Sequence, residues 1–254
     1  MAYPTATLEQ VRSFNEHGFL VVPDAIEPSD LAHLMQCCDI ILNKKEKMAF
    51  DWAWSADLSR EEREFRIVQS SPSIYFPELA SARYRAWAIA FAGALMGRPL
   101  EFWYDQFLGK PPGRSATTPW HQDEAYWGRN LDERGITCWM PFHDVDAANG
   151  CMHFIDGGHR DGILPHAQPA GIQSDLLVCH PDESRQLVCL LRLGGVTFHH
   201  GKMPHMTTSN SSTEWRRILA QHLRVEGSAG EGDHYPWKVY VDQRTGQRTL
   251  PPVR

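Results

Sequence analysis

The chain has 254 residues, a formal net charge of −6, and 42% hydrophobic against 22% charged residues. That is the balance of an ordinary globular protein with a sizeable core, and it excludes a disordered or fibrous chain. An acidic total argues against a general nucleic-acid binder, which carries a basic face.

The opening MAYPTATLEQVRSFNEHG lacks the basic start and apolar run of a signal peptide. The most apolar stretch, AWAIAFAGALMG, is too short to span a bilayer and reads as a buried helix. Six cysteines (37, 38, 138, 151, 179 and 189) form no CxxC pair, so free, mostly buried thiols in a reducing cytoplasm are expected. No membrane partner is expected, and the sequence leaves open whether the chain is a monomer or a homodimer.

Thr7 followed by Gln10 predicts a capping box opening a short helix that stops at His17-Gly18. FLVV (19–22) reads as a strand. A second helix is predicted from Pro28, with Leu31, Leu34, Met35, Cys38 and Leu42 on one stripe. Residues 43–72 are charged and irregular and suggest a lid carrying Trp52 and Trp54. A third helix is predicted over Glu78 to Met96, ended by Gly97. From Leu100 the character changes to short β-branched and aromatic runs between turn residues: EFWYDQFL, GITCWMPF, CMHFI, QLVCLL, GVTFHH and RRILAQHLRV. Such a series predicts a β-sandwich or barrel, with the earlier helices packed on it. The expected organisation is one domain: helical support over 1–99, β-core over 100–225, and a tail over 226–254.

WHQDEAYW (120–127) places His121 and Asp123 two residues apart. On an extended backbone alternate residues face the same way, so both can reach one ion. A third ligand must come from the histidine-rich second half. Two imidazoles and a carboxylate on one face leave positions open on non-haem Fe(II) for a co-substrate and dioxygen.

The ordered set of KPPG (110–113), WHQDEAYW, the turn AANGCMHFIDGGHR (147–160) and H-x-T-x-x-N-x-S followed by arginine resembles the phytanoyl-CoA dioxygenase family of Fe(II)- and 2-oxoglutarate-dependent oxygenases. The resemblance implies a double-stranded β-helix (jelly-roll, cupin-like) core. It implies His121, Asp123 and His205 as iron ligands, with Arg216 gripping the distal carboxylate of 2-oxoglutarate. A guanidinium suits that task because it is always charged and forks onto a carboxylate through two hydrogen bonds. Thr207 stands where the family commonly has serine and is expected to add one bond. The family's usual Gly-Asp before the distal strand is Gly194-Gly195 here, and the turn after Asn149-Gly150 departs at Asp156-Gly157-Gly158. Related halogenases replace the metal carboxylate by a small residue, so Asp123 implies hydroxylation or another oxidation.

Gln106 is a further candidate for 2-oxoglutarate or substrate contact. Tyr126, Trp127 and Trp103 are candidate walls of a substrate pocket, with core packing as the alternative. Arg217 should face away from Arg216 as a solvated charge. His199 and His200 suit a supporting place behind the ligands. The expected activity is oxidation, foremost hydroxylation, of a small-molecule C–H bond with Fe(II), 2-oxoglutarate and O2, giving succinate and CO2. Desaturation, epoxidation or cyclisation on the same scaffold is an alternative, as is a cupin-like module that only binds a metal.

Overall fold

The computed structural model describes residues 3–44, 50–53, 66–113, 117–127, 135–167 and 177–228. Helix α1 (Leu8–His17) begins at the Thr7/Gln10 capping box and ends at Gly18 in the left-handed conformation. Strand β1 (Phe19–Val22) follows, then α2 (Pro28–Asn43) with Pro28 in its first turn. Leu31, Leu34, Cys37, Cys38 and Ile41 form its buried face. All six cysteines are free and buried.

The helix expected over Glu78 to Met96 is instead split. A single turn, α3 (Pro72–Tyr75), and a 3-10 turn (Pro77–Ser81) precede α4 (Arg83–Met96). Ala82 is extended (φ −62°, ψ 136°) and breaks the axis. The break lets Leu79 bury from the 3-10 turn while Tyr84, Trp87, Ala88, Phe91, Ala92 and Leu95 bury from α4. Two short strands also lie within the region expected to be irregular: β2 (Phe50–Ala53) and β3 (Arg66–Ser70) pair antiparallel. The suspected lid otherwise falls on residues outside those described, Trp54 included.

The remaining strands are β4 (Leu100–Lys110), β5 (Thr118–His121), β6 (Gly135–Pro141), β7 (Met152–Ile155), β8 (Gln186–Cys189), β9 (Val196–His200), β10 (His205–Thr207) and β11 (Arg216–Val225). Among the described residues they form two antiparallel sheets, a large one in the order β1-β9-β6-β11-β4-β3-β2 and a small one in the order β5-β10-β7-β8. The central strand β11 is buried along most of its length on both faces, polar Arg216, Gln221 and His222 included. Ile218 and Ala220 join Trp139, Val145, Met152 and Phe154 in a core between the sheets. Leu219 and Leu223 face the other way, into a core shared with α1, α2 and α4.

A buried ion pair locks this helical layer to the sheet. Asp105 on the outer face of β4 accepts from Arg85 Nη2 of α4 at 2.7 Å and from Ser71 Oγ at 2.8 Å, and Ser73 donates to it as well. The Arg85 guanidinium also lies 3.8 Å over the Phe102 ring. Removing one partner leaves the other charge buried without compensation. Asp105→Ala is therefore expected to lower unfolding stability by about 3–5 kcal/mol in urea denaturation, far more than loss of the exposed Arg192–Asp144 pair.

Candidate metal and anion site

Strand alternation builds the site. On β11, Arg216, Ile218, Ala220 and His222 share the face that looks toward the small sheet, and the ladder pairs them with Lys110, Leu108, Gln106 and Tyr104 of β4. On the other flank, Thr137 and Trp139 of β6 pair with His222 and Ala220, and His199 of β9 pairs with Thr137. The small sheet supplies His121 and His205 as direct cross-strand partners.

His121 is the last residue of β5. Gln122 continues extended (φ −123°, ψ 130°) and Asp123 opens a 3-10 turn. One extended residue between them turns both side chains to the same side, as the sequence pattern required. Asp123 Oδ1 lies 3.8 Å from His121 Nε2 and 3.7 Å from His205 Nε2. One ligand atom from each of the three residues lies within 4.8 Å of the others. Both imidazoles direct Nδ1 at a backbone carbonyl, His121 at Pro119 and His205 at Met203, each at 2.8 Å. Those carbonyls fix the Nδ1–H tautomer and leave the Nε2 lone pairs pointing inward. Burial pushes the pKa of both rings down, so they are neutral donors at neutral pH.

Asp123 is held from behind. Thr137 Oγ1 donates to Oδ2 at 2.5 Å, and His199 Nε2 lies 3.3 Å from the same oxygen. Burial alone would raise this carboxyl; the histidines around it, His205 foremost, outweigh that and hold it well below the usual carboxylate range. Behind Thr137 the chain of bonds continues, with His222 Nδ1 at 3.0 Å from Oγ1 and Gln106 at 2.9 Å from His222 Nε2. Burial pushes His222 down to about 4, so its ring carries one proton. Thr137 gives its single proton to Asp123, so His222 Nδ1–H donates to Thr137 and Nε2 is left as an acceptor. Gln106 turns its Oε1 toward Nε2, and a half-turn of χ3 would exchange that oxygen for the NH2 donor the ring needs. Gln106, a candidate for co-substrate or substrate contact, has His222 as its described partner.

Arg216 sits at the other end of the same inner face, 2% exposed. Its Nε has no hydrogen-bond partner, and Nη1 makes only a long 3.5 Å contact with the Leu108 carbonyl. Lys110, its ladder partner, is also buried, and Nζ donates to Thr207 Oγ1 at 2.8 Å and to the Thr208 carbonyl at 2.6 Å. Burial pushes Arg216 down to about 9, while burial and the neighbouring guanidinium drive Lys110 well below the ordinary lysine range. Gly150 (φ +91°) closes over the pair. A Cβ there would lie 2.9 Å from the Thr208 carbonyl and 3.4 Å from Arg216 Nε, so the Asn149-Gly150 turn needs glycine.

Arg216 does not lie on a strand beside that of His205. β11 and β10 belong to opposite sheets, and Lys110 to Thr207 bridges them. Asn210 explains the crossover. Fully buried, its amide donates to the carbonyls of Lys110, Pro111 and Glu214, stapling the turn between β10 and β11. Arg217 is not a freely solvated charge either: it faces the helical layer and pairs with Asp39 of α2. Of the three aromatics, only Tyr126 exposes much of its ring, edge-on to His121 at 6.1 Å between centroids. Trp127 is buried against Tyr104 and Trp103. The support given by Thr137, His222 and Lys110 escaped the sequence reading; the KPPG motif held the one available signal, at Lys110.

Two neutral imidazoles and an ionised carboxylate turned to one point, with the buried Arg216 guanidinium and Lys110 further along the inner face, are the layout of a non-haem iron, 2-oxoglutarate-dependent oxygenase. The family model for phytanoyl-CoA dioxygenase (PhyH) matches residues 14–218, and the chain belongs to this family. It is 22% identical to mouse peroxisomal phytanoyl-CoA dioxygenase over 85% of this chain and 68% of that protein. Among solved structures it is similar to EvdO2 from Micromonospora carbonacea var. aurantiaca complexed with 2-oxoglutarate (26% identity, TM-score 0.72, 92% of this chain and 97% of that one). It shares the fold of the epimerase SnoN, solved with Fe3+, α-ketoglutarate and nogalamycin RO (20% identity, TM-score 0.70, 97% and 92% covered). The chain is accordingly a non-haem iron dioxygenase using Fe(II), 2-oxoglutarate and O2, on a double-stranded β-helix core.

Thr137→Val keeps the shape of the side chain and removes the donor to Asp123. It is expected to weaken Fe(II) or Co(II) binding by roughly 10–100-fold in calorimetric titration. Thr137→Ser is expected to retain near wild-type affinity.

Proposed function

We propose that His121, Asp123 and His205 hold Fe(II) through Nε2, Oδ1 and Nε2, and that Arg216 anchors the distal carboxylate of 2-oxoglutarate, with Lys110 and Thr207 beside it. The reaction is oxidation of a C–H bond, foremost hydroxylation, in a small-molecule substrate. The observation that carries this reading is electrostatic. Two basic side chains, Arg216 and Lys110, are buried next to each other, and no carboxylate of a described residue pairs with either. A buried charge without an anion is costly, and a dicarboxylate co-substrate supplies the missing partner. A module that only stored a metal would have no use for this cation pair.

Bound in this site, iron and 2-oxoglutarate supply the oxidising chemistry with dioxygen, with succinate and CO2 as co-products. The chain's residues bind and orient. The two backbone carbonyls hold the imidazoles in register, Thr137 turns one oxygen of Asp123 to the metal, and the guanidinium fixes the far end of the co-substrate. Tyr126 is the one described aromatic that offers an exposed ring beside the ligands, and we assign it to the substrate wall. Trp103 and Trp127 stand behind it as packing support. The substrate class that fits best is a secondary metabolite, as with the neighbours from nogalamycin biosynthesis, SnoN being solved with nogalamycin RO. Among the described residues no helix is long and apolar enough to cross a membrane, and buried free thiols suit a reducing cytoplasm.

The test is anaerobic. Fe(II) plus 2-oxoglutarate should give the wild type a weak visible charge-transfer absorption. Arg216→Ala should weaken 2-oxoglutarate binding by about 2–5 kcal/mol, the cost of removing one partner of a buried charge pair. Arg216→Lys should not restore it, because an ammonium cannot reproduce the fork. Unchanged 2-oxoglutarate affinity in both variants would overturn the assignment.

A further inference from the structure

A second set of ligand-type side chains lies away from the iron site. His33 and Cys37 are four residues apart on α2, so one helical turn stacks them on the same face. Glu78 approaches from the 3-10 turn before α4. One ligand atom from each lies within 4.8 Å of the others, and His33 Nε2 is 3.9 Å from Cys37 Sγ. We propose that His33, Cys37 and Glu78 form a second metal site, for a borderline dication such as Zn2+, that ties α2 to the turn preceding α4.

The donor set selects the ion. Imidazole nitrogen, thiolate sulfur and one carboxylate oxygen suit Zn2+ or Co2+ and are poor company for Mg2+ or Ca2+, which take oxygen. Zinc bonds of about 2.3 Å to sulfur and 2.0–2.1 Å to nitrogen place tetrahedral N and S ligands about 3.6 Å apart, close to the 3.9 Å present. Three protein ligands leave the fourth position to water, which the exposure of His33 and Glu78 permits.

The surroundings of Glu78 point the same way. The two carboxylates that α2 itself carries, Asp30 and Asp39, are matched by Arg83 and Arg217. Among the described residues Glu78 has no such cation, and it faces a thiol that is itself buried. Burial and then the charge of Glu78 push the Cys37 thiol up. A dication reverses both effects: it neutralises the carboxylate and displaces the thiol proton, forming the metal–sulfur bond and releasing one H+ per ion bound.

Sulfur separates this site from the first. The iron triad has two nitrogens and one oxygen, so a thiolate-to-cobalt charge-transfer band in the near ultraviolet can arise only elsewhere. The experiment titrates Co2+ into the full-length His121→Ala/His205→Ala protein under reducing conditions. One equivalent should produce the band, with about one proton released per cobalt in calorimetry repeated across buffers. Cys37→Ser should abolish it. Glu78→Gln and His33→Ala, both at exposed positions that do not threaten folding, should each weaken cobalt binding tenfold or more. A missing band overturns the proposal. So does a band that survives Cys37→Ser, an affinity unmoved by Glu78→Gln and His33→Ala, or saturation only at the cobalt level a small thiol peptide needs.

Discussion

Keeping one carboxylate ionised inside the protein is the constraint on which the site is built. Asp123 is almost fully buried, and burial by itself favours its neutral form. A protonated acid at that place would be a poor metal ligand. The fold answers by dividing the two oxygens: Oδ1 faces the two Nε2 atoms, while Oδ2 receives Thr137 and lies against His199. Because the second oxygen is satisfied from the protein side, the carboxylate is oriented before any ion arrives. The imidazoles are prepared in the same manner, each with its Nδ1 proton committed to a backbone carbonyl. None of the three ligands has to reorganise its protonation to bind a cation, which is what electrostatic preorganisation means at the level of single hydrogen bonds.

The same logic runs in reverse at the far end of β11. There the protein buries positive charge and leaves it short of an anion. Arg216 and Lys110 are register partners on adjacent strands, so their proximity is fixed by the ladder rather than by flexible side chains. His222, on the same strand and the same face, belongs to the support behind Asp123. One strand thus carries both halves of the site, with Ile218 and Ala220 packed between them in the inter-sheet core. His222 stands six positions beyond Arg216, a span of about 20 Å along a strand at 3.2–3.4 Å per residue.

Local pattern made much of this legible. The capping box, the helix stop at Gly18, the strand FLVV and the long strand RRILAQHLRV all lie where turn chemistry and alternation put them. The triad was readable because H-x-D on an extended backbone projects both groups to one side, and because His205, Thr207, Asn210 and Arg216 follow in a fixed order. What escaped was long-range. Thr137 and His222 are unremarkable in their own segments and acquire meaning only when β6, β11 and β4 come into register. The break at Ala82 was hidden by an apolar pattern that satisfied a helix on both sides of it. The turn stapled by Asn210 carries the chain from one sheet to the other, and nothing in its composition distinguishes that from a hairpin.

That change of sheet has a mechanical consequence. His121 and His205 belong to the small sheet, whereas Arg216 and Lys110 belong to the large one. Their separation is therefore set by how the two sheets pack, through the core of Trp139, Met152, Phe154, Ile218 and Ala220, and by one direct link from Lys110 to Thr207 and Thr208. Protein interiors are close-packed and tolerate volume changes poorly. A cavity or an added methylene in that layer shifts one sheet against the other without touching a ligand. On the proposed reading, the distance from the triad to the Arg216 guanidinium must match a five-carbon diacid, so the apolar layer then takes part in co-substrate selection. The hydrogen bonds around Asp123 fix the direction of its carboxylate; the inter-sheet core fixes how far the triad stands from the guanidinium.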